Sequence, residues 1–159
     1  MNTTIFNVKN ISAVIIIILL LISISTEHWL SNSLLKNNIE LPGASGIEPI
    51  GLWSKLNTSS IALQFTRILV ILSLLSLAIG LYLNISSPDS KTTYIFFLAS
   101  GILSLLGTIL YVFYYNSYTS PINTQSQKFQ KNFDYSWYLN LLAGIASVSV
   151  GVLINKNVI

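Results

Sequence analysis

The chain is predicted to be an all-α membrane protein, a bundle of four transmembrane helices, and three observations carry the prediction. Of its 159 residues 52% are hydrophobic and only 8% charged, whereas a soluble domain carries about 25% charged residues to coat its surface. Four apolar runs, at about 8–28, 61–85, 94–115 and 135–154, are each long enough to cross a hydrocarbon core about 30 Å thick as a helix. The remainder is polar, and its only long pieces are two outer loops at about 29–60 and 116–134.

Composition also limits the chemistry. The net charge of +3 comes from eight Lys and Arg against five Asp and Glu, scattered singly, so there is no basic stripe for phosphates and no nucleic-acid partner is expected. The absence of cysteine removes disulfides, thiol catalysis and cysteine metal sites together. One His and five dispersed acids leave little material for acid–base work, so no enzyme activity, catalytic residue, metal site or cofactor is expected. The expected partners are membrane lipid and either a second copy of the chain or another membrane protein.

The first run is apolar from residue 11 to 25 and reaches span length if Lys9 snorkels to the interface. Ser23 and Ser25 have the spacing of a leader-peptide cut. Glu27, His28 and Trp29, however, follow at once in the manner of a span end anchored by an interfacial aromatic, and the run is read as retained. In the loop that follows, Pro42-Gly43, Gly46 and Pro49 form turns, and Ile39, Leu41, Ile47, Ile50, Leu52 and Leu56 leave room for short strands with an apolar face.

The second run is interrupted by Gln64, Thr66 and Arg67 near its outer end and is long enough to tilt. The polar link Ser86-Ser87-Pro88-Asp89-Ser90-Lys91 is short and returns the chain antiparallel into the third run. Tyr111, Phe113, Tyr114, Tyr115 and Tyr118 form an aromatic belt at the far end of that run, and Phe133, Tyr135, Trp137 and Tyr138 form another at the start of the fourth. Both termini then lie on one side. Lys9, Lys91 and Lys156 fall there, against Lys36, Lys55, Lys128, Lys131 and Arg67 opposite, so the positive-inside rule does not orient the bundle. Between spans three and four, Ser100, Ser104 and Thr108 are spaced to face Ala143, Ser147 and Gly151, two small-residue stripes at i, i+4, i+8 that allow close backbone approach. Gly101, Gly107 and Gly144 offer competing faces.

Four short stretches carry a family likeness. Thr26-Glu27-His28-Trp29 closes span one, Gly51-Leu52-Trp53 stands in the first loop, Leu63-Gln64-Phe65-Thr66-Arg67 opens span two, and Phe133-Asp134-Tyr135-Ser136-Trp137-Tyr138 enters span four. In order and spacing the chain resembles the superfamily of claudins, peripheral myelin protein, epithelial membrane proteins and lens membrane protein. The resemblance implies a left-handed four-helix bundle with cytoplasmic termini and a small extracellular β-sheet, claudin-like and built mainly from loop one. It further implies a plasma-membrane protein without enzymatic activity that organises membrane contacts or lateral assemblies through its extracellular loops. The alternative is an accessory subunit of a larger membrane protein such as an ion channel.

Within that resemblance Trp29, Gly51, Leu52, Trp53 and Arg67 are the structural signature. The indoles are expected to wedge the loop into the mouth of the bundle, against the plainer role of interface anchors. Arg67 is expected to donate to carbonyls near Gly51-Leu52-Trp53, or to pair with Glu27 or Glu48. Asn57-Thr58-Ser59 matches a glycosylation acceptor but lies too close to span two for efficient use. The chain departs from the family in lacking the two cysteines that follow Gly-Leu-Trp and in its short segment between Trp53 and Arg67. The missing disulfide forgoes about 2–4 kcal/mol of loop constraint and removes the usual support for junction strands and pore lining.

Overall fold

A computed structural model describes residues 8–26, 28–36, 39–40, 51–53, 60–87, 92–117, 127–156 and 158. Its helices are α1 (Val8–Ser25), α2 (Ile61–Ser86), α3 (Thr93–Ser117) and α4 (Tyr135–Asn155). All four are long and apolar enough to cross a membrane, and the chain is an integral membrane protein. The helix α1 ends at Ser25 rather than at 28, where the Ser25 and Thr26 hydroxyls turn back to the carbonyls of Leu21 and Ile22 at 2.7 Å each. At the start of α4, Asp134 supplies the cap, its Oδ1 accepting from the Tyr135 N–H at 2.7 Å.

Each helix packs on the next in chain order, and α4 closes the ring on α1. The reason is visible in α2, whose buried positions Leu63, Thr66, Val70, Ser73, Leu77, Gly80 and Asn84 alternate steps of three and four, the period of a supercoiled seam. Large aliphatics such as Ile68, Leu75 and Ile79 are exposed. Small and polar side chains thus share the seams with a few aliphatics such as Leu63, Val70 and Leu77, while the apolar face is left for lipid.

Hydrogen bonds stitch these seams. Ser73 donates to the Ser100 carbonyl at 2.9 Å and Ser76 to that of Phe96 at 3.0 Å, joining α2 to α3. Between α3 and α4, Ser104 donates to the Asn140 carbonyl at 2.9 Å, Ser147 to that of Phe97 at 2.8 Å, and Asn140 Nδ2 to Thr108 Oγ1 at 2.8 Å. The two backbones come close at Gly101, where an added Cβ would meet the Val148 nitrogen and the Gly144 carbonyl oxygen, and Gly151 lies against Leu98. Of the two expected stripes, Ser104, Thr108, Ser147 and Gly151 lie along this seam. Ser100 bonds to α2, and Ala143 belongs to the central apolar cluster with Ala13, Leu20, Leu77 and Phe97.

Three strands sit at the end where α1 and α3 finish and α2 and α4 begin: β1 (Leu30–Lys36), β2 (Ile39–Glu40) and β3 (Gln127–Phe133). They are antiparallel in the order β2-β1-β3. Along β1 the register runs from Leu30 opposite Phe133 to Lys36 opposite Gln127. The long partner of β1 thus comes from the second loop, a stretch that reads as polar loop in the sequence. Glu27, Glu48 and Asn57-Thr58-Ser59 lie outside the described residues.

Candidate functional site

At the strand-bearing end, the exit of α1 is clasped to the entry of α4. Ser23 Oγ donates to the Ser136 carbonyl at 2.8 Å, and Thr26 Oγ1 is hydrogen-bonded to Ser136 Oγ. The backbone adds two bonds, Asp134 N–H to the Trp29 carbonyl at 3.2 Å and Ser136 N–H to that of His28 at 3.1 Å. On the outside of the clasp, His28 Nδ1 lies 3.1 Å from Asp134 Oδ2, and its ring stacks on Tyr135 at 4.8 Å.

This clasp turns Trp29 inward. Its indole is fully buried and donates from Nε1 to the Ser23 carbonyl at 2.6 Å, which meets the need of a buried ring N–H for an acceptor. The ring packs at a tilt on Tyr111, 4.9 Å between centroids, and Tyr111 on Tyr114 at 5.4 Å. Leu52, Leu63 and Val70 complete this cluster. Phe133 and Trp137 stack beside it at 4.5 Å.

The Gly51-Leu52-Trp53 tripeptide is seated on this cluster. Gly51 is buried, and Leu52 is fully buried among the aromatics. Trp53 remains 47% exposed, but its Nε1 donates to the Ile24 carbonyl at 3.0 Å, fastening the loop to α1. From the other side Arg67 Nε donates to the Leu52 carbonyl at 2.6 Å, and its guanidinium carbon lies 5.4 Å from the Trp53 ring centroid. A cation two turns into an apolar helix is costly. Here a charge-assisted bond and the face of an indole offset that cost. The tripeptide therefore bridges α1 and α2, hydrogen-bonded to Ile24 on one and Arg67 on the other, with its central side chain driven into the core.

The structure brings Trp29, Gly51, Leu52, Trp53 and Arg67 together; the remaining predicted residues lie along the helix seams. Sequence reading names Ser23 only in the spacing of a leader-peptide cut and Ser136 only within the family likeness, and passes over Asn140. Asn140 joins Ser104 and Thr108 in a buried network, and Asn84 Nδ2 donates to Asn10 Oδ1 at the opposite end of the bundle. The available signal was an amide inside an apolar run, since such groups turn inward and pair. Among the described residues no group of three or more His, Cys, Asp or Glu is placed to hold a metal ion. The arrangement consists of aromatic faces and bonds to backbone carbonyls, and what it does physically is fix a loop on the helix ends.

Arg67→Leu is expected to destabilise the protein even though it removes a charge from lipid depth, because the Leu52 carbonyl loses its donor; the loss should be about 1.5–3 kcal/mol. Arg67→Lys should recover only part of it, since an ammonium keeps charge without the planar fork. Thermal unfolding in detergent tests this, and wild-type midpoints for both variants would reduce Arg67 to a snorkelling cation.

No protein-family model matches the chain, and no curated protein matches it either.

Proposed function

We propose that the chain is a divergent, cysteine-free claudin-like protein of the plasma membrane, without enzymatic activity, that organises membrane contacts or lateral assemblies through its extracellular loops. The observation that carries this reading is the seat of Gly51-Leu52-Trp53. The residues on which the family likeness rests, Trp29, this tripeptide and Arg67, form one packed and hydrogen-bonded unit. A loop that lacks a disulfide needs another constraint to present a defined surface, and the bonds to Ile24 and from Arg67, with the burial of Leu52, supply it. The scarcity of His and acids in the composition supports a binding role over a catalytic one.

The reading is tested by purifying the protein from its native membrane with two differently tagged copies present. Recovery of both tags in one complex is the expected result. A fixed stoichiometric complex with one larger membrane protein, and a single tag in each complex, would replace assembly with service as an accessory subunit.

A further inference from the structure

We propose that one water molecule is bound between Asn84 and Thr93, at the end of the bundle away from the strands, where it links the Asn10–Asn84 pair of α1 and α2 to the start of α3. The site lies at the opposite end from the loop seat and does not depend on it.

Its placement follows from the seam between α2 and α3. A Cβ added at Gly80 would lie 3.5 Å from the Phe97 ring, so these two positions face each other. One helical turn further, four residues on in α2 and four back in antiparallel α3, the facing positions are Asn84 and Thr93. Both are buried, at 3% and 1% exposure. Asn84 Nδ2 donates to Asn10 Oδ1, but neither Asn84 Oδ1 nor Thr93 Oγ1 has a hydrogen-bond partner among the described residues. Two oxygens on neighbouring helices therefore stand at one level, more than a direct hydrogen bond apart.

The backbone explains why the helices do not satisfy these atoms themselves. Thr66, Thr108 and Ser149 each return a hydroxyl to the carbonyl four residues earlier, the usual recourse of a hydroxyl inside a helix. Thr93 is the first residue of α3 and has no preceding helical turn to bond. Asn84 directs its amide nitrogen to Asn10, which leaves its oxygen in need of a donor. A buried oxygen left in that state loses its hydration and gains nothing in exchange.

The same atoms select the ligand. The Asn84 oxygen can only accept, whereas the Thr93 hydroxyl can accept or donate. An anion would meet an acceptor at Asn84. A cation would find no Asp or Glu among the described residues of this end, and Lys9 precedes Asn10 in the chain. Water has both functions and is the common partner of buried polar groups. It donates to Asn84 Oδ1 and accepts from the Thr93 hydroxyl. The bridge also holds the Asn84 amide with its nitrogen toward Asn10, so one chain of bonds joins α1, α2 and α3. Asn84 is two residues from the end of α2 at Ser86, so the water has a short path from the surface.

Thr93→Val tests the site by the sign of its effect. If the hydroxyl were merely orphaned, an apolar replacement of the same shape would leave the protein as stable or more so. With a bridging water, the folding equilibrium constant in detergent should fall about three- to tenfold. A double-mutant cycle with Asn84→Leu should then show coupling between two side chains that share no direct bond. Because Asn84→Leu also breaks the bond to Asn10, the wild type supplies an independent measurement. Magnetic resonance in lipid bilayers should show magnetisation transfer from water to the Thr93 side chain, and much less to Thr108, whose hydroxyl is bonded to Ser104 and Asn140. A Thr93→Val protein at least as stable as the wild type, additive effects in the cycle, or no more transfer to Thr93 than to Thr108 overturns the proposal. Coupling without water transfer assigns the bridge to a protein side chain and overturns it as well.

Discussion

Trp29→Ala should destabilise the protein by about 3–5 kcal/mol, the usual cost of emptying a buried aromatic site. The indole is fully buried and is the common wall of the cluster formed by Leu52, Leu63, Val70, Tyr111 and Tyr114. Its removal leaves a cavity that Tyr111 cannot close without giving up Tyr114, and it strips the Ser23 carbonyl of the donor at 2.6 Å. Trp29→Phe separates these two effects: an aromatic ring remains while the N–H is lost, for about 1 kcal/mol. Unfolding in detergent gives the ranking. Protease sensitivity of the Gly51-Leu52-Trp53 seat gives the location, because an emptied site should release Leu52 before the helices separate. If Trp29→Ala unfolds like the wild type, the residue is an interface anchor and the seat is held by Arg67 and Trp53 alone.

How much of this was legible in the sequence follows from where the determining forces act. The four helices are local: an apolar run must hydrogen-bond its own backbone in lipid, so their positions could be read to within a few residues. The end of α1 could not, because Ser25 and Thr26 satisfy carbonyls by turning back on them, and nothing in hydropathy marks that. Arg67 and Trp29 stood out as a charge and an aromatic at the edge of apolar runs. The β3 strand lacked any such mark. Its residues include no β-branched side chain, and it becomes a strand because β1, nearly a hundred residues earlier in the chain, presents an edge in register with it.

The small-residue stripes show a subtler limit. Positions at i, i+4 and i+8 are only roughly on one face, since each step of four overshoots a full turn by about 40°. Over two steps the drift suffices to move from one neighbouring helix to another. Accordingly Ser100 bonds to Ser73 on α2, whereas Ser104 and Thr108 bond to Asn140 on α4. Gly101, Gly107 and Gly144 could be read only as competing faces, and the close surroundings of Gly101 and Gly144 place them on the α3–α4 side with those serine bonds.

Gly101→Ala is accordingly expected to have the largest effect of any single-methyl change, about 3 kcal/mol or more, at the upper end of overpacking costs. The added Cβ would lie 2.5 Å from Val148 Cγ2, 2.7 Å from the Val148 nitrogen and 2.8 Å from the Gly144 carbonyl oxygen. Two of these three are backbone atoms, which cannot rotate away, so α3 and α4 must move apart. That displacement lengthens the Ser104–Asn140 and Ser147–Phe97 bonds together, and lipid supplies no hydrophobic drive to pull the helices back. Replacing Gly with Ala inside a helix gains about 1 kcal/mol of backbone propensity, which the clash must exceed. At Gly107 the nearest atom is the Val70 Cγ2 methyl at 3.0 Å, with the next at 3.6 Å; a side chain that can shift lets the propensity gain nearly cancel the crowding. Unfolding in detergent should therefore rank Gly101→Ala far below Gly107→Ala, and equal tolerance of the two would mean that the α3–α4 seam is not held by backbone approach at Gly101.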